Sequence, residues 1–257
     1  MRVKIVSMFK DNYAYLLTDA ARKATLIVDP AEPAAIRAAW DAAVKQGAEV
    51  AAGPPAAILC THHHRDHAGG NTALRQQLGI PDVVGEARAE AVTLTPTHRQ
   101  VLRYGDLEVT ALHTGGHTMG HVCYYVTDTG APTAPPAVFT GDCLFVGGCG
   151  RFFEGTPDDM YTSLIERLAR LPDATQVYCG HEYTAANLRF GQSVEPGNEA
   201  LSAKLAALPA CTVPSTIGEE KATNVFLRVE TSEELQQRFK MQGRELLGAL
   251  RATKDKF

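Results

Sequence analysis

The sequence predicts an α/β core followed by a helical region, and three observations support this prediction. Short apolar runs typical of strands recur over the first two thirds of the chain, and several end in polar residues or glycine. Segments with one apolar face, typical of helices, lie between them. After His181 the strand-like runs almost vanish and helical segments take over. We therefore place a domain boundary there, which separates residues 1–181 from residues 182–257.

The individual elements follow from local signals. Pro33 in an opening turn and Gly47 as a stop predict a helix between Asp29 and Gly47. Thr156 is a residue type that caps helix N-termini, so a second helix is predicted after it. Strands are predicted at Val3–Ser7, Tyr15–Leu17, Thr25–Val28, Ala56–Cys60, Val109–Leu112, Val122–Val126, Ala137–Thr140 and Gln176–Cys179. Beyond the boundary, helices are predicted at Thr184–Phe190, Glu199–Leu208 and Glu233–Leu250.

Composition argues against several classes of partner. The 257 residues carry 25 Lys and Arg against 29 Asp and Glu, a formal net charge of -4, which does not favour binding to a nucleic-acid backbone. No apolar stretch approaches the roughly 20 residues that span a bilayer. Six cysteines are scattered without a paired motif, which indicates a reducing compartment and small buried side chains. We expect a cytoplasmic protein without a cleaved leader or membrane contact, and nothing in the sequence demands more than a monomer.

The chemistry of the chain is concentrated in one short segment. His62, His64, Asp66 and His67 fall within six positions, directly after the predicted strand Ala56–Cys60. Because side chains alternate along a strand, His62 and His64 can reach one ion, while a turn brings Asp66 and His67 towards a second. Nitrogen and carboxylate ligands without a thiolate are typical of zinc, iron or manganese. The segment therefore predicts a metal site with room for two adjacent ions.

Three later strand ends offer further ligands. His117, Asp142 and His181 each lie beside a glycine, which allows the backbone to approach a crowded site closely. A carboxylate such as Asp142 can bridge two cations and reduce their mutual repulsion. A histidine alone in a turn is more often an ordinary surface or core residue, so the cluster is what favours metal binding. The same ordinary interpretation is kept for His63, His98, His113 and His121.

At this point the sequence resembles the metallo-β-lactamase superfamily, and within it the glyoxalase II family of hydroxyacylglutathione hydrolases. The ligand order THxHxDH, GH, GD, GH is reproduced in full. Further similar blocks run nearly end to end, among them Gly141–Phe145, Gly148–Thr156, Gly180–Thr184 and Val194–Asn198. The resemblance implies a four-layer αββα sandwich with a C-terminal helical domain.

The resemblance also implies a ligand set and a reaction. His62, His64 and His117 would bind one divalent ion and Asp66, His67 and His181 the other, with Asp142 bridging. Zinc is favoured, with iron and manganese as alternatives. Asp66 and Asp142 would be catalytic by holding the ions whose bound hydroxide attacks a thioester. The implied reaction converts S-D-lactoylglutathione to glutathione and D-lactate, the second step of methylglyoxal detoxification. Asp29, at a strand end, is either a residue that orients a ligand or simply a turn residue.

Residues for binding the glutathione moiety are carried over in the same way. Arg251 and Lys254 stand three apart on the predicted last helix and would grip the glycine carboxylate; alone, they would be an ordinary basic helix end. The other implied contacts are Arg151, Phe153, Tyr183 and Asn187. Arg151 and Phe153 depart from the Lys and Tyr frequent in the family, so positive charge is kept while a hydroxyl is lost.

Two other enzyme classes of the superfamily stay open. A persulfide dioxygenase uses one iron held by two histidines and one carboxylate, whereas every position of a two-metal set is filled here. A lactonase or β-lactamase should show no preference for glutathione esters. A non-catalytic relative should lack ligands, and this chain lacks none of those implied.

Overall fold

The computed structural model describes residues 1–47 and 50–257, and these form two compact units. Unit 1 comprises Met1–His113 and Gly120–Gly141, and unit 2 comprises Thr114–Met119 and Asp142–Phe257. His117 and Asp142 therefore belong to unit 2. The domain boundary after residue 181 stays a prediction.

Unit 1 contains two sheets. The first has the strand order β1 (Arg2–Met8), β2 (Asn12–Thr18), β3 (Thr25–Val28), β4 (Ala57–Leu59) and β5 (Asp82–Val84). Its first three strands are antiparallel, and β3, β4 and β5 run parallel. The second sheet contains β6 (Val101–Tyr104), β7 (Leu107–His113), β8 (Val122–Asp128) and β9 (Ala137–Gly141), all antiparallel.

The two sheets of unit 1 pack face to face, and helices cover the first sheet. The Tyr15 ring lies 5.3 Å from the Phe139 ring, and the Tyr124 hydroxyl donates to the carbonyl of Cys60 at 2.9 Å. Helix α1 (Pro33–Gln46) and helix α3 (Asn71–Leu78) share an apolar core with the other face of the first sheet. Every residue of β2 is buried, as expected for a strand covered on both faces.

Unit 2 carries a short hairpin, several helices and a two-stranded pair. The hairpin is formed by β10 (Leu144–Phe145) and β11 (Gly148–Cys149), and the pair by β12 (Gln176–Cys179) and β13 (Ser215–Thr216). The helices are α4 (Pro157–Tyr161), α5 (Thr184–Val194), α6 (Glu199–Ala206), α7 (Ile217–Thr223), α8 (Glu233–Phe239) and α9 (Gly243–Lys254). Helix α4 continues as a π-helical stretch over Thr162–Arg167 and a 3-10 turn over Leu168–Arg170.

Two helix signals are confirmed and one prediction is wrong. Helix α1 begins at Pro33 and ends before Gly47, whose φ is +66°. Thr156 caps α4 through a capping box with Asp159. The single helix predicted over Glu233–Leu250 is instead two helices, α8 and α9. The chain leaves α8 because Lys240 is left-handed, with φ 54°, and Gly243 at the start of α9 also has φ 54°.

Buried polar groups support the hairpin of unit 2. The Asn224 amide donates to the carbonyls of Phe145 and Gly148, and the Glu220 carboxylate accepts from the Gly147 amide at 2.7 Å. Lys204 balances the Glu220 charge at 3.1 Å. These contacts hold the backbone after Asp142 in one conformation. None of the described helices is long and apolar enough to cross a bilayer.

Candidate metal centre and substrate pocket

The histidine segment of unit 1 begins directly after β4 and enters the short helix α2 (Arg65–Ala68). The His62 Nε2 atom lies 3.1 Å from the His64 Nδ1 atom. Two nitrogens bound to one tetrahedral ion at 2.0–2.1 Å would be about 3.3 Å apart. The His67 Nε2 atom lies 3.7 Å from a carboxylate oxygen of Asp66, which forms a second close donor pair. The structure thus brings the four predicted ligands of unit 1 together as two pairs.

Asp29 orients one histidine of each pair, His67 directly and His62 through Thr61. Its carboxylate accepts hydrogen bonds from the Thr61 amide and hydroxyl, both at 2.7 Å, and from His67 Nδ1 at 3.0 Å. Because the Thr61 hydroxyl donates to Asp29, it accepts from His62 Nδ1 at 3.0 Å. Both rings therefore keep Nε2 for an ion, the arrangement usual for metal-binding histidines. Of the two alternatives for Asp29, the structure supports the residue that orients ligands.

Replacing Asp29 with asparagine is expected to weaken metal retention by about tenfold to a hundredfold. Asparagine tolerates the left-handed backbone at this position, φ 48°, but lacks the second oxygen that holds His67 and Thr61. Competition with a chelator measures the effect. Asp19→Asn is the matched control, because Asp19 is also buried in unit 1 but accepts from the Lys23 and Asp106 amides. Unchanged metal affinity in Asp29→Asn would contradict this assignment.

Unit 2 gathers the other three predicted ligands around one carboxylate oxygen. Asp142 Oδ2 lies 3.5 Å from His117 Nε2 and 3.5 Å from His181 Nε2. The Arg151 carbonyl accepts from His117 Nδ1 at 2.9 Å, so this ring is also held with Nε2 available. An oxygen equidistant from two imidazoles suits a carboxylate shared by two cations. Gly150 is required here, since a Cβ at that position would lie 2.0 Å from the Asp142 carbonyl.

Two histidines that lie near the predicted ligands, His63 and His121, have different surroundings. His63 contacts the buried Glu86 carboxylate, while His62 and His64 contact each other, as the alternation along a strand predicts. His121, interpreted from the sequence as an ordinary residue, is fully buried and stacks on His62 with ring centroids 5.1 Å apart. Sequence reasoning missed this contact because His121 follows a loop far from the cluster. Its position just before β8 is the only signal that the sequence offers.

The cysteines are mostly buried side chains, as expected. Burial raises the pKa of the Cys60 and Cys149 thiols, and raises that of Cys179 to about 12. A thiol with a raised pKa carries little thiolate at neutral pH and is a poor nucleophile. Cys211 is exposed, so the expectation that all six are buried is wrong for it.

A pocket of about 420 Å³ lies within unit 2 and includes every substrate residue implied by the resemblance. Two predicted metal ligands, His117 and Asp142, form part of its wall. The Tyr183 ring stacks on the His181 ring at 4.7 Å, and the Phe153 ring contacts the His117 ring at 5.2 Å. The implied substrate residues in the lining are Arg151, Phe153, Tyr183, Asn187, Arg251 and Lys254.

The two basic residues of α9 that line the pocket have different surroundings. Arg251 is buried and donates to the Cys149 carbonyl and to Asp255, both at 2.9 Å, so it holds the hairpin. Lys254 contacts the Asn187 side-chain oxygen and lies 5.8 Å from the Phe226 ring. Burial, with help from the Arg251 charge, lowers the pKa of Lys254 to about 8. A lysine with this pKa gains its full charge when an anion binds beside it.

Comparison with known proteins identifies the class. A family model described as the metallo-beta-lactamase superfamily matches residues 9–181. Among solved structures, ETHE1 from Myxococcus xanthus superimposes with a TM-score of 0.67 and 25% identity, covering 99% of this chain and 98% of that one. TTHA1623 in a di-iron-bound form gives a TM-score of 0.59 and 25% identity, covering 88% and 100%. The chain belongs to the metallo-β-lactamase superfamily.

The C-terminal region and a curated relative identify the family within this superfamily. A family model described as the hydroxyacylglutathione hydrolase C-terminus matches residues 182–257. The cytoplasmic hydroxyacylglutathione hydrolase of Arabidopsis thaliana is 43% identical over 91% of this chain and 90% of its own length. Within the superfamily, the chain belongs to the hydroxyacylglutathione hydrolase, or glyoxalase II, family. The predicted fold, with its C-terminal helical region, and the predicted hydrolase class are confirmed, and the histidine and aspartate sets indicate divalent metal binding.

Proposed function

We infer that this chain hydrolyses the thioester of S-(2-hydroxyacyl)glutathione, with S-D-lactoylglutathione as the substrate and glutathione and D-lactate as the products. The observation that carries the inference is the 43% identity to a hydroxyacylglutathione hydrolase over 91% of the chain. The pocket of unit 2 supports it, because both cationic side chains and predicted metal ligands line it. That combination suits a substrate with a carboxylate at one end and a thioester at the other.

We propose that the seven predicted ligands hold two divalent ions, zinc by preference and iron or manganese as alternatives. His62, His64 and His117 would hold one ion, Asp66, His67 and His181 the other, and Asp142 both. The donor chemistry fits, since imidazole nitrogens and carboxylates without a thiolate suit these metals. When bound, such ions lower the pKa of water and stabilise negative charge on a carbonyl oxygen.

The side chains of unit 2 would bind and orient the substrate. Lys254, next to Asn187, would form a charge-assisted contact with the glycine carboxylate. Phe153 and Tyr183 would form the walls beside the thioester, since their rings lie against His117 and His181. Water would add to the thioester carbon and the carbon–sulfur bond would break, with one proton of the water passing to the departing thiolate and the other to solvent. The glutathione thiolate is a good leaving group that needs little help from an acid.

The main alternative is a mononuclear-iron persulfide dioxygenase. The match of residues 182–257 to the hydroxyacylglutathione hydrolase C-terminus favours the thioesterase, as does the complete ligand set. Purified protein is expected to consume the thioester absorbance of S-D-lactoylglutathione and to take up no oxygen with glutathione persulfide. Oxygen uptake without thioester loss would reverse the assignment. Equal rates on simple lactones or β-lactams would instead indicate a different hydrolase.

We also propose a cytoplasmic location, because the Arabidopsis thaliana relative is named as cytoplasmic. The monomeric state stays a prediction.

A further inference from the structure

A second pocket, of about 310 Å³, adjoins the substrate pocket within unit 2. The two share Tyr183 and Ala186 in their linings. Both residues lie at the start of α5, and Arg189 follows Ala186 by three positions on the same helix face. The two pockets thus meet at Tyr183 and Ala186. A ligand seated in the first pocket can therefore extend into the second.

Arg189 is the cation of this second pocket. Within the part of the chain that the structure describes, its guanidinium makes no hydrogen bond or ion pair. The cations of the first pocket are engaged differently, since Arg251 holds Cys149 and Asp255, and Lys254 contacts Asn187. Arg189 thus keeps all its donors for a ligand. A guanidinium with free donors beside a pocket is suited to a carboxylate.

The same pocket also contains a fixed negative charge. The Glu182 carboxylate accepts from the Thr212 amide and hydroxyl, both at 2.9 Å, and from the Thr184 amide at 3.3 Å. These contacts hold the carboxylate in place beside the pocket. The pocket therefore carries one positive and one negative side chain, which complements a ligand group that has a carboxylate and an ammonium on the same carbon.

Glutathione has such a group at its γ-glutamyl end. Its glycine carboxylate lies at the opposite end, and the extended chain places the two ends roughly 10 Å apart. One set of cations cannot contact both carboxylates at that separation. Resting on the proposed function, we propose that Arg189 binds the α-carboxylate of the γ-glutamyl residue, with Glu182 attracting the α-ammonium. The second pocket would then distinguish glutathione conjugates from conjugates that lack this carboxylate.

The test combines a change in the protein with a change in the ligand. The first ligand is a glutathione conjugate. The second is the same conjugate with 4-aminobutanoyl in place of γ-glutamyl, which removes only the α-carboxylate. KM is measured for the two S-D-lactoyl conjugates, and Kd by calorimetry for the two S-methyl conjugates. In the unmodified protein, loss of the carboxylate is expected to raise both constants about threefold to tenfold. In Arg189→Ala the two ligands should give equal constants. The kcat for S-D-lactoylglutathione should be unchanged, because the contact is lost equally in the ground state and in the transition state.

Two further variants sharpen the result. Arg189→Lys should restore part of the discrimination because it restores the charge. Arg238→Ala removes a charge from an exposed arginine of α8 that also has no partner among the described residues and lies outside both pockets, so it should keep the full discrimination. Undiminished discrimination in Arg189→Ala would overturn the proposal. Absence of hydrolysis by the unmodified protein would overturn the proposed function alone, since the Kd comparison still decides the role of Arg189.

Discussion

Asp142→Ala is expected to lower kcat for S-D-lactoylglutathione by about a hundredfold to a thousandfold. In unit 2 a single Asp142 oxygen lies 3.5 Å from both His117 and His181, so its loss removes the negative charge that would offset two cations. Metal content should fall in the same sample. Steady-state kinetics together with elemental analysis measure both effects.

The matched control for this prediction is Asp173→Ala. Asp173 is an exposed carboxylate of unit 2 that pairs with Lys221 at 2.7 Å, and its loss should leave both kcat and metal content unchanged. Wild-type kcat and full metal content in Asp142→Ala would contradict the assigned role of this carboxylate.

Lys254→Met is expected to raise KM by about tenfold to a hundredfold with little change in kcat. Methionine is an unbranched apolar side chain that lacks the charge, so it loses the group that would bind the glycine carboxylate and that lies 5.9 Å from the Phe190 ring and 5.8 Å from the Phe226 ring. Because Lys254 is half-buried, its charge would be screened less by water than that of a fully exposed lysine. Steady-state kinetics on S-D-lactoylglutathione measure the change.

The same lysine predicts a pH dependence. Burial lowers its pKa to about 8 from 10.5, so the free enzyme carries the charge below pH 8 and loses it above. The value of kcat/KM reports groups of the free enzyme, so it should fall as the pH rises through about 8. The variant Lys254→Arg keeps its positive charge over the whole pH range. Dividing the wild-type kcat/KM by that of Lys254→Arg therefore cancels the effect of ionisable groups that the two proteins share. A ratio that stays flat between pH 7 and roughly 9.5 would contradict the role of Lys254.

Much of the fold could be predicted from local sequence signals. The helix from Pro33 to Gln46 has a proline at its start and a left-handed glycine after its end, and both signals act within one turn. Thr156 was equally informative, because its capping box with Asp159 is also local. Strands β4 and β12 could be predicted because each contains three consecutive apolar residues.

The errors come from features that no local pattern specifies. The helix predicted across Glu233–Leu250 contains a left-handed Lys240, a conformation that its residue type does not announce. Hairpin β10–β11 has two residues in each strand, too few for a periodic pattern, and distant groups such as Asn224 hold it. Short elements held by remote side chains are therefore the part that the sequence alone leaves unspecified.

The candidate site also combines features that local sequence patterns predict with features that distant contacts decide. Its ligands could be named from the sequence because the residue types and spacing of His62–His67 restrict the chemistry. The role of Asp29 could not, since contacts across 32 and 38 positions to Thr61 and His67 decide it. The contact of His121 with His62 is equally long-range. The different surroundings of Arg251 and Lys254 became visible only with the packing of α9 against its neighbours.

The most direct test of this account follows the thioester absorbance of S-D-lactoylglutathione with purified protein before and after chelation, with metal content determined on the same sample. We expect rapid hydrolysis with about two divalent ions per chain, loss of activity as the ions are removed, and recovery when zinc, iron or manganese is returned. Hydrolysis that persists unchanged in metal-free protein would contradict the account. So would the absence of hydrolysis in protein that carries both ions.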